Sequence, residues 1–459
     1  MKGKQHFLDL FFNPQSVAVV GVSRDPLRMN FQLFANLVRL KFPGRIYPVN
    51  PGAGEIMGMK VYPNLRSIEE EVELVISAVP ATATLDVVKD CIEKGVKGVV
   101  IVAGGFSEIG EEGEKLQDEI ARLLRESGIR AIGPNALSPI NTANNLVIGF
   151  ATHEELKRGG VSFIFQSGLY EPRLNWIFSD LNLGMNKLID LGNKMNINEV
   201  EALEYLAEDP GTKVLAIHLE SIAGDGKRFL QLLKATSKKK PIIVLKAGRT
   251  EAGVKAASSH TGAMAKGSDA VFDVALRQAG VIRAREVHEF FDFAKAFEFF
   301  MPLELSGNRI AFATFSGGEG TITTDLCQEE GLSMAEVSPK TFDKLQEVFP
   351  PWAISPNPFD LGVSTQFHNP AKVYRVLLES MAEDENVDCL AGQMGTSDFP
   401  MPDGFLEPFV IPRERQKPLV VWLMGEAYQS AAPVAWLEAN HVPVYPSAER
   451  AVKALGAFH

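Results

Sequence analysis

At 459 residues the chain is too long for one ordinary core, and its 46% hydrophobic and 22% charged residues are the balance of a soluble globular protein of about three domains. A formal net charge of −11 argues against a general nucleic-acid binder, which needs a basic face, yet leaves room for an anionic small ligand held by a few amides and cations. The three scattered cysteines, Cys91, Cys327 and Cys389, suit neither a disulfide framework nor a zinc site. With no signal-peptide pattern and no apolar run long enough to span a bilayer, the expectation is a cytoplasmic protein with no metal, membrane or nucleic-acid partner of its own.

In chain order, the first segment alternates strand-like and helix-like stretches. Apolar strands are predicted at 16–20, 45–50, 74–79, 98–102 and 130–133, with helices at 31–39 and 111–126. Continuous apolar strands between polar-faced helices predict a parallel sheet covered on both faces, a Rossmann-like unit. Its strand ends carry Gly21, Ser23 and Arg24, then Asn50 and Pro51, Pro80, Gly104, Gly105 and Phe106, and finally Asn135. In such a sheet these ends border the ligand crevice. The first turn is not GxGxxG, since Ser23 and Pro26 stand in it, which weakens a dinucleotide reading.

The second segment repeats the pattern, with strands at 161–165, 187–191, 214–219 and 241–245 and helices at 199–207 and 229–234. Gln166, Ser167 and Gly168 end its first strand and are expected to open a helix, whose free N–H groups and dipole suit a phosphoryl group; a plain helix cap is the alternative. Glu220 ends the third strand, either as a carboxylate that orients an imidazole or as a solvated strand end. Residues 256–263 then form a loop of small and polar residues around a single imidazole, His260. Such a loop cannot fill a core but can approach a ligand, so His260 is either a reactive centre or a cap on the helix that follows. His218 lies in an apolar run and reads as core, while His6, His153, His288, His368, His441 and His459 lie at termini or element ends without a matching glutamate or anion-binding turn.

The third segment predicts another small α/β layer, flavodoxin-like by pattern. It has strands at 309–314, 387–391 and 418–423, a loop at 357–361, and helices around Cys327 and at 374–381, 430–440 and 448–455. The fold class expected for the whole chain is α/β, with three Rossmann-like or flavodoxin-like parallel-sheet domains over 1–148, 149–305 and 306–459.

Taken together, six motifs carry a family resemblance: SVAVVGVSR at 16–24, IYPVNP at 46–51, GPN at 133–135, QSG at 166–168, LGNK at 191–194 and SSHTG at 258–262. In this order and spacing the chain resembles the α subunit of nucleoside-diphosphate-forming acyl-CoA synthetases, nearest the ADP-forming acetate–CoA ligases and more distantly succinyl-CoA synthetase. The resemblance implies a CoA-binding first domain, a second domain with a phosphorylatable histidine at His260 oriented by Glu220, and a third flavodoxin-like domain. It makes the first-domain strand ends CoA contacts and Gln166, Ser167 and Gly168 the phosphoryl site. It also implies an ATP-grasp β subunit in a hetero-oligomer, carrying ADP or ATP with Mg, because no part of this sequence looks like that domain. Acyl-CoA and phosphate would give an acyl phosphate, which phosphorylates His260 and leaves the carboxylic acid. A catalytically silent CoA-binding regulatory subunit, or an NAD-dependent oxidoreductase, is the alternative reading.

The sequence departs from the family where Leu169, Tyr170, Glu171 and Pro172 follow Gly168, replacing small residues. That bulk is expected to reshape the acyl pocket toward a substrate larger than acetate. Ala136 and Glu319 also depart, standing where family members often carry Cys and Pro, without removing a group the chemistry needs.

Overall fold

In the computed structural model the β-branched runs pair in parallel wherever a helix carries the chain back across the sheet. The structure describes residues 6–52, 54–168, 170–255, 269–395, 401, 404–424 and 432–459. The expectations for His260 and its loop, and for Leu169, lie outside them. The chain divides into two units, Met1–Glu286 and Val287–His459.

The first sheet of unit one contains β1 (Ser16–Val20), β2 (Arg45–Val49), β3 (Leu74–Ser77), β4 (Gly98–Ile101) and β5 (Arg130–Ile132). Their order is β2-β1-β3-β4-β5, all parallel. Val17, Val19, Leu74, Ile76 and Val100 enter one apolar cluster, and Ala18, Val75, Val99 and Ile101 another. Both faces are therefore buried, which is why these strands read as unbroken apolar runs. The sequence reading does not anticipate the helix Ala81–Lys94, whose narrow buried stripe is Thr84, Val87, Val88 and Cys91. It and the helix Glu111–Ser127 both end on a glycine at φ +75°, Gly95 and Gly128.

The second sheet of the same unit holds β6 (Ile140–Asn141), β7 (Leu146–Val147), β8 (Arg158–Phe165), β9 (Met185–Asp190), β10 (Val214–Leu219), β11 (Ile242–Lys246) and β12 (Ile282–Ala284). The order is β12-β11-β10-β8-β9-β6-β7, with the β6–β7 hairpin added antiparallel at the edge. Two-residue strands give no periodicity to read, so this hairpin is invisible in the sequence.

Unit two carries β13 (Arg309–Thr314), β14 (Ser333–Met334), β15 (Phe359–Asp360), β16 (Cys389–Met394), β17 (Leu419–Leu423) and β18 (Val444–Tyr445). The order is β14-β13-β16-β17-β18, with β15 also on β13. The loop expected at 357–361 thus contains a short strand, anchored by the fully buried Phe359. Glu319 accepts hydrogen bonds from Gln393 Nε2 and Trp422 Nε1, both at 3.0 Å, and so ties the helix Gly317–Glu329 to β16 and β17.

All three sheets wind the same way. Apart from the β6–β7 edge hairpin and β15, the chain starts centrally, steps once to one side, then crosses to the other side and continues outward, the 2-1-3-4-5 order of flavodoxin-like folds. This order creates a switch point at the C-terminal ends of β1 and β3, of β8 and β10, and of β13 and β16, where ligands of such sheets bind.

Candidate active site

At the first switch point Gly21 has φ +89°, and a Cβ there would lie 2.7 Å from Val79 Cγ1 and 3.0 Å from the Ala78 carbonyl oxygen. Only glycine lets the turn after β1 pass this close to the end of β3. Asn30 Nδ2 donates to the Gly21 carbonyl at 2.6 Å, and Asn50 Nδ2 to that of Val22 at 2.7 Å. Asn50 Oδ1 accepts from Gly52 N, and the Arg24 guanidinium donates to the Gly52 carbonyl. These bonds shape an open cleft of about 430 Å³ lined by Ser23, Arg24, Asp25, Arg28, Asn30 and Asn50, with Val22 and Gly52. Two guanidiniums against one carboxylate make it locally cationic in an acidic chain, as an anionic ligand requires. Arg28 and Asn30 are additions that the sequence reading misses, because they stand beyond the strand end, at the start of the helix Met29–Arg39.

The remaining first-domain candidates gather elsewhere. Pro51 is exposed, and Pro80 caps the helix Ala81–Lys94. Gly104, Gly105 and Asn135 stand at the ends of β4 and β5 around Glu108, which accepts from Gly105 N at 2.6 Å and from Asn193 Nδ2 at 2.7 Å. Burial opposes ionisation of Glu108, but the surrounding N–H donors outweigh it and hold the carboxyl below its usual range. The Gly105 amide is therefore already engaged by a carboxylate. The Phe106 side chain is fully buried in the core, leaving it only its backbone to offer.

At the second switch point Gln166 is the tie. Its Oε1 accepts from Glu220 N at 3.0 Å and Ser221 N at 3.1 Å, while its Nε2 donates to Ser221 Oγ at 3.1 Å. The ends of β8 and β10 are thereby held together, with Glu220 buried, Ser167 half-buried and Gly168 exposed. The expected helix start is corrected here. Among the described residues after Gly168 the first helical element is a 3₁₀ turn at Glu171–Arg173, and a short helix follows at Leu174–Ser179. Pro172 suits the first positions of that turn. Tyr170 is drawn into the core, stacked on Phe165 at 4.0 Å and edge-on to His218 at 5.3 Å, so its bulk fills space below the strand ends. Burial lowers the His218 pKa to about 4, keeping it a neutral core residue as the sequence suggests. His153 departs from its reading: it does have a matching glutamate, since its Nε2 lies 3.1 Å from Glu171 Oε1.

The first and second sheets meet where the loop after β9 packs on the turn after β5. Gly192, at φ +54°, packs so closely on the Gly133–Asn135 turn that a Cβ would lie 2.1 Å from the Pro134 carbonyl oxygen. Asn193 N donates to that same oxygen at 2.9 Å, and Met195 N to the Gly133 carbonyl at 3.1 Å. Just before this loop stands Asp190, a further residue the sequence reading passes over. Its carboxylate accepts from Leu137 N at 2.8 Å and Gly192 N at 3.2 Å. Burial raises its pKa to about 6, with Glu220 and Glu171 adding to the shift and the two N–H donors opposing it. A carboxyl whose folded pKa exceeds its unfolded value favours the folded state fully at acid pH and loses that contribution as pH rises toward the folded value. Asp190→Asn is therefore expected to flatten the fall in stability between about pH 4 and pH 7, by on the order of 3 kcal/mol. Denaturant unfolding of the two proteins across that range measures it; equal slopes contradict it. Among the described residues no group of three or more His, Cys, Asp or Glu side chains suits a metal, and no helix is long and apolar enough to cross a membrane.

The first sheet thus ends in a locally cationic cleft, and the second in a strand end tied by Gln166 and bearing the buried Glu220. Family models agree in sequence: a CoA binding domain matches residues 15–141, and a succinyl-CoA ligase like flavodoxin domain matches residues 158–297. Over 451 residues the chain is 36% identical to the α subunit of ADP-forming acetate–CoA ligase II of Pyrococcus furiosus, covering 96% of this chain and 95% of that one. It is 37% identical to the ADP-forming acetate–CoA ligase II of Archaeoglobus fulgidus over 98% of its own length, and spans 66% of that longer relative. Its fold matches that of the dinucleotide-forming acetyl-coenzyme A synthetase 1 of Candidatus Korarchaeum cryptofilum, solved with phosphate and ADP, with a TM-score of 0.87 at 33% identity over 98% of this chain and 96% of that one. The chain belongs to the family of ADP-forming acetate–CoA ligases, which are acid–thiol ligases, and corresponds to their α subunit.

Proposed function

We propose that this chain is the CoA-binding, phosphohistidine-carrying α subunit of an ADP-forming acyl-CoA ligase. The observation that carries the reading is the locally cationic cleft lined by Ser23, Arg24, Arg28 and Asn50, at the strand ends of the segment that a CoA binding domain model matches. That cleft suits the anionic groups of CoA, and the Gln166-tied strand end of the next sheet, with Glu220 buried beside it, supports the reading of phosphoryl transfer there. Phosphate attacks the acyl carbon of acyl-CoA, the thioester C–S bond breaks, and CoA thiolate leaves with a proton. The imidazole of His260 then attacks phosphorus of the acyl phosphate and the carboxylate departs. Phosphohistidine finally passes its phosphoryl group to ADP, giving ATP and restoring the imidazole. The last step needs an ATP-grasp β subunit that holds ADP and Mg, so the working enzyme is a hetero-oligomer, and its compartment is the cytoplasm.

Histidine suits the relay because a neutral imidazole is nucleophilic near neutral pH. Glu220 ends β10 next to β11, the strand whose continuation leads toward 256–268, and its carboxylate is the group to orient that ring. Glu220→Gln is expected to slow labelling of the chain by acetyl-CoA and labelled phosphate by about 10²-fold without abolishing it. Labelling at the wild-type rate contradicts that role. The rival NAD reading is tested by calorimetry with CoA, desulfo-CoA and NAD: saturable binding of CoA is expected, and binding of NAD alone overturns the proposal.

A further inference from the structure

The segment after the phosphoryl turn holds a buried polar group that the relay does not use. Glu171 is 2% exposed. Its Oε1 accepts from Ala151 N at 3.0 Å and lies 3.1 Å from His153 Nε2. Gly149 passes so close that a Cβ there would lie 2.1 Å from the same oxygen. His153 is fully buried, and its Nδ1 is paired with Asn175 Oδ1 at 3.1 Å. Glu171 Oε2, however, is buried with no hydrogen-bond partner among the described residues. A carboxylate buried with one oxygen unsatisfied costs stability that a packing role does not require.

The pair also has a second end. Asn36 Oδ1 accepts from His153 N at 3.3 Å, and Asn36 Nδ2 donates to the carbonyls of Gly149 and Ala151 at 3.2 and 2.8 Å. Asn36 is fully buried in the helix Met29–Arg39, and Arg39 Nη1 donates to its Oδ1 at 3.0 Å. Six residues earlier, about 9 Å along the same helix, Asn30 lines the first cleft and holds the Gly21 carbonyl. One rigid helix thus touches the CoA-type cleft with its first turn. Near its other end it reaches the pair that pins the residues following Gln166, Ser167 and Gly168.

We propose that Glu171, His153 and Asn36 form a positioning link that sets the turn bearing Ser167 against the first cleft. Glu171 is then a positioning residue for the acyl-to-phosphoryl step, resting on the function proposed above. It acts through hydrogen-bond geometry, so glutamine, with the same shape and an oxygen to accept, keeps the link, while alanine cuts it. This account also gives Glu171 a purpose that its departure from the family pattern leaves open.

The test labels the full-length chain with acetyl-CoA and labelled inorganic phosphate, comparing wild type, Glu171→Ala and Glu171→Gln, with thermal unfolding as a control for folding. Glu171→Ala is expected to lower the maximal labelling rate tenfold or more. The acetyl-CoA concentration at half-saturation should stay within twofold, and Glu171→Gln should recover most of the rate. A folded Glu171→Ala that labels as fast as wild type overturns the link while leaving the relay intact. Absence of label in wild type, with acetyl-CoA and with larger acyl-CoAs alike, overturns both. A parallel rise in half-saturation, or no recovery with glutamine, overturns the geometric role. Should Glu171→Ala fail to fold, Asn175→Ala at its exposed position loosens the imidazole instead, and an unchanged maximal rate there overturns the link.

Discussion

Replacing His260 by alanine is expected to lower turnover by on the order of 10⁴-fold or more and to abolish phosphoryl labelling, with CoA affinity unchanged. The size of the effect follows from the relay, in which His260 is the nucleophile that carries the phosphoryl group. His218 is buried and held neutral, and His153 is fully buried against Glu171 and Asn175. His260 itself lies outside the described residues, so the expectation rests on the SSHTG motif, on β11 leading toward it, and on Glu220 at the neighbouring strand end. Steady-state turnover and calorimetry on the same variant check it. Normal turnover in His260→Ala ends the proposal.

Ser23→Phe is expected to weaken CoA binding about 100-fold, roughly 2.7 kcal/mol, while the protein stays folded. Ser23 lines the first cleft, and its Oγ accepts from Asp25 N at 3.0 Å, within the same loop. A phenyl ring there obstructs the cleft between Arg24, Asn30 and Asn50 without entering the core. Its effect should fall on the half-saturation for CoA and leave the maximal labelling rate near that of wild type. Calorimetry with CoA, together with the thermal midpoint, separates a blocked cleft from a damaged fold. Unaltered affinity in a folded variant moves the CoA site away from this cleft.

The parallel strands were legible because burial on both faces leaves an unbroken apolar signature, as in Ser16–Val20 and Val214–Leu219. Their ends, and with them Gly21, Asn50, Gln166 and Glu220, followed from strand position alone. What escaped the sequence was structure made by contacts distant along the chain. The Glu171–His153 pair joins residues 18 apart and draws in Asn36, more than a hundred residues away, with no local pattern to announce it. Asp190 reads as one polar residue ending an apolar strand until Leu137 and Gly192 close around it. The helix start after Gly168 was misplaced because the Gln-Ser-Gly turn resembles a cap, whereas Tyr170 buries its ring and Pro172 sets the turn one step later. The hairpin at 140–147 is too short for any period to show.

The most direct test of the relay is to expose the wild-type chain to acetyl-CoA and labelled phosphate and map the label by peptide mass spectrometry under alkaline conditions. The account predicts a single phosphoryl group on His260, stable to alkali and lost in acid as a phosphorus–nitrogen bond is. Label on Ser167, or a chain that stays unlabelled while it turns over with its partner, contradicts it.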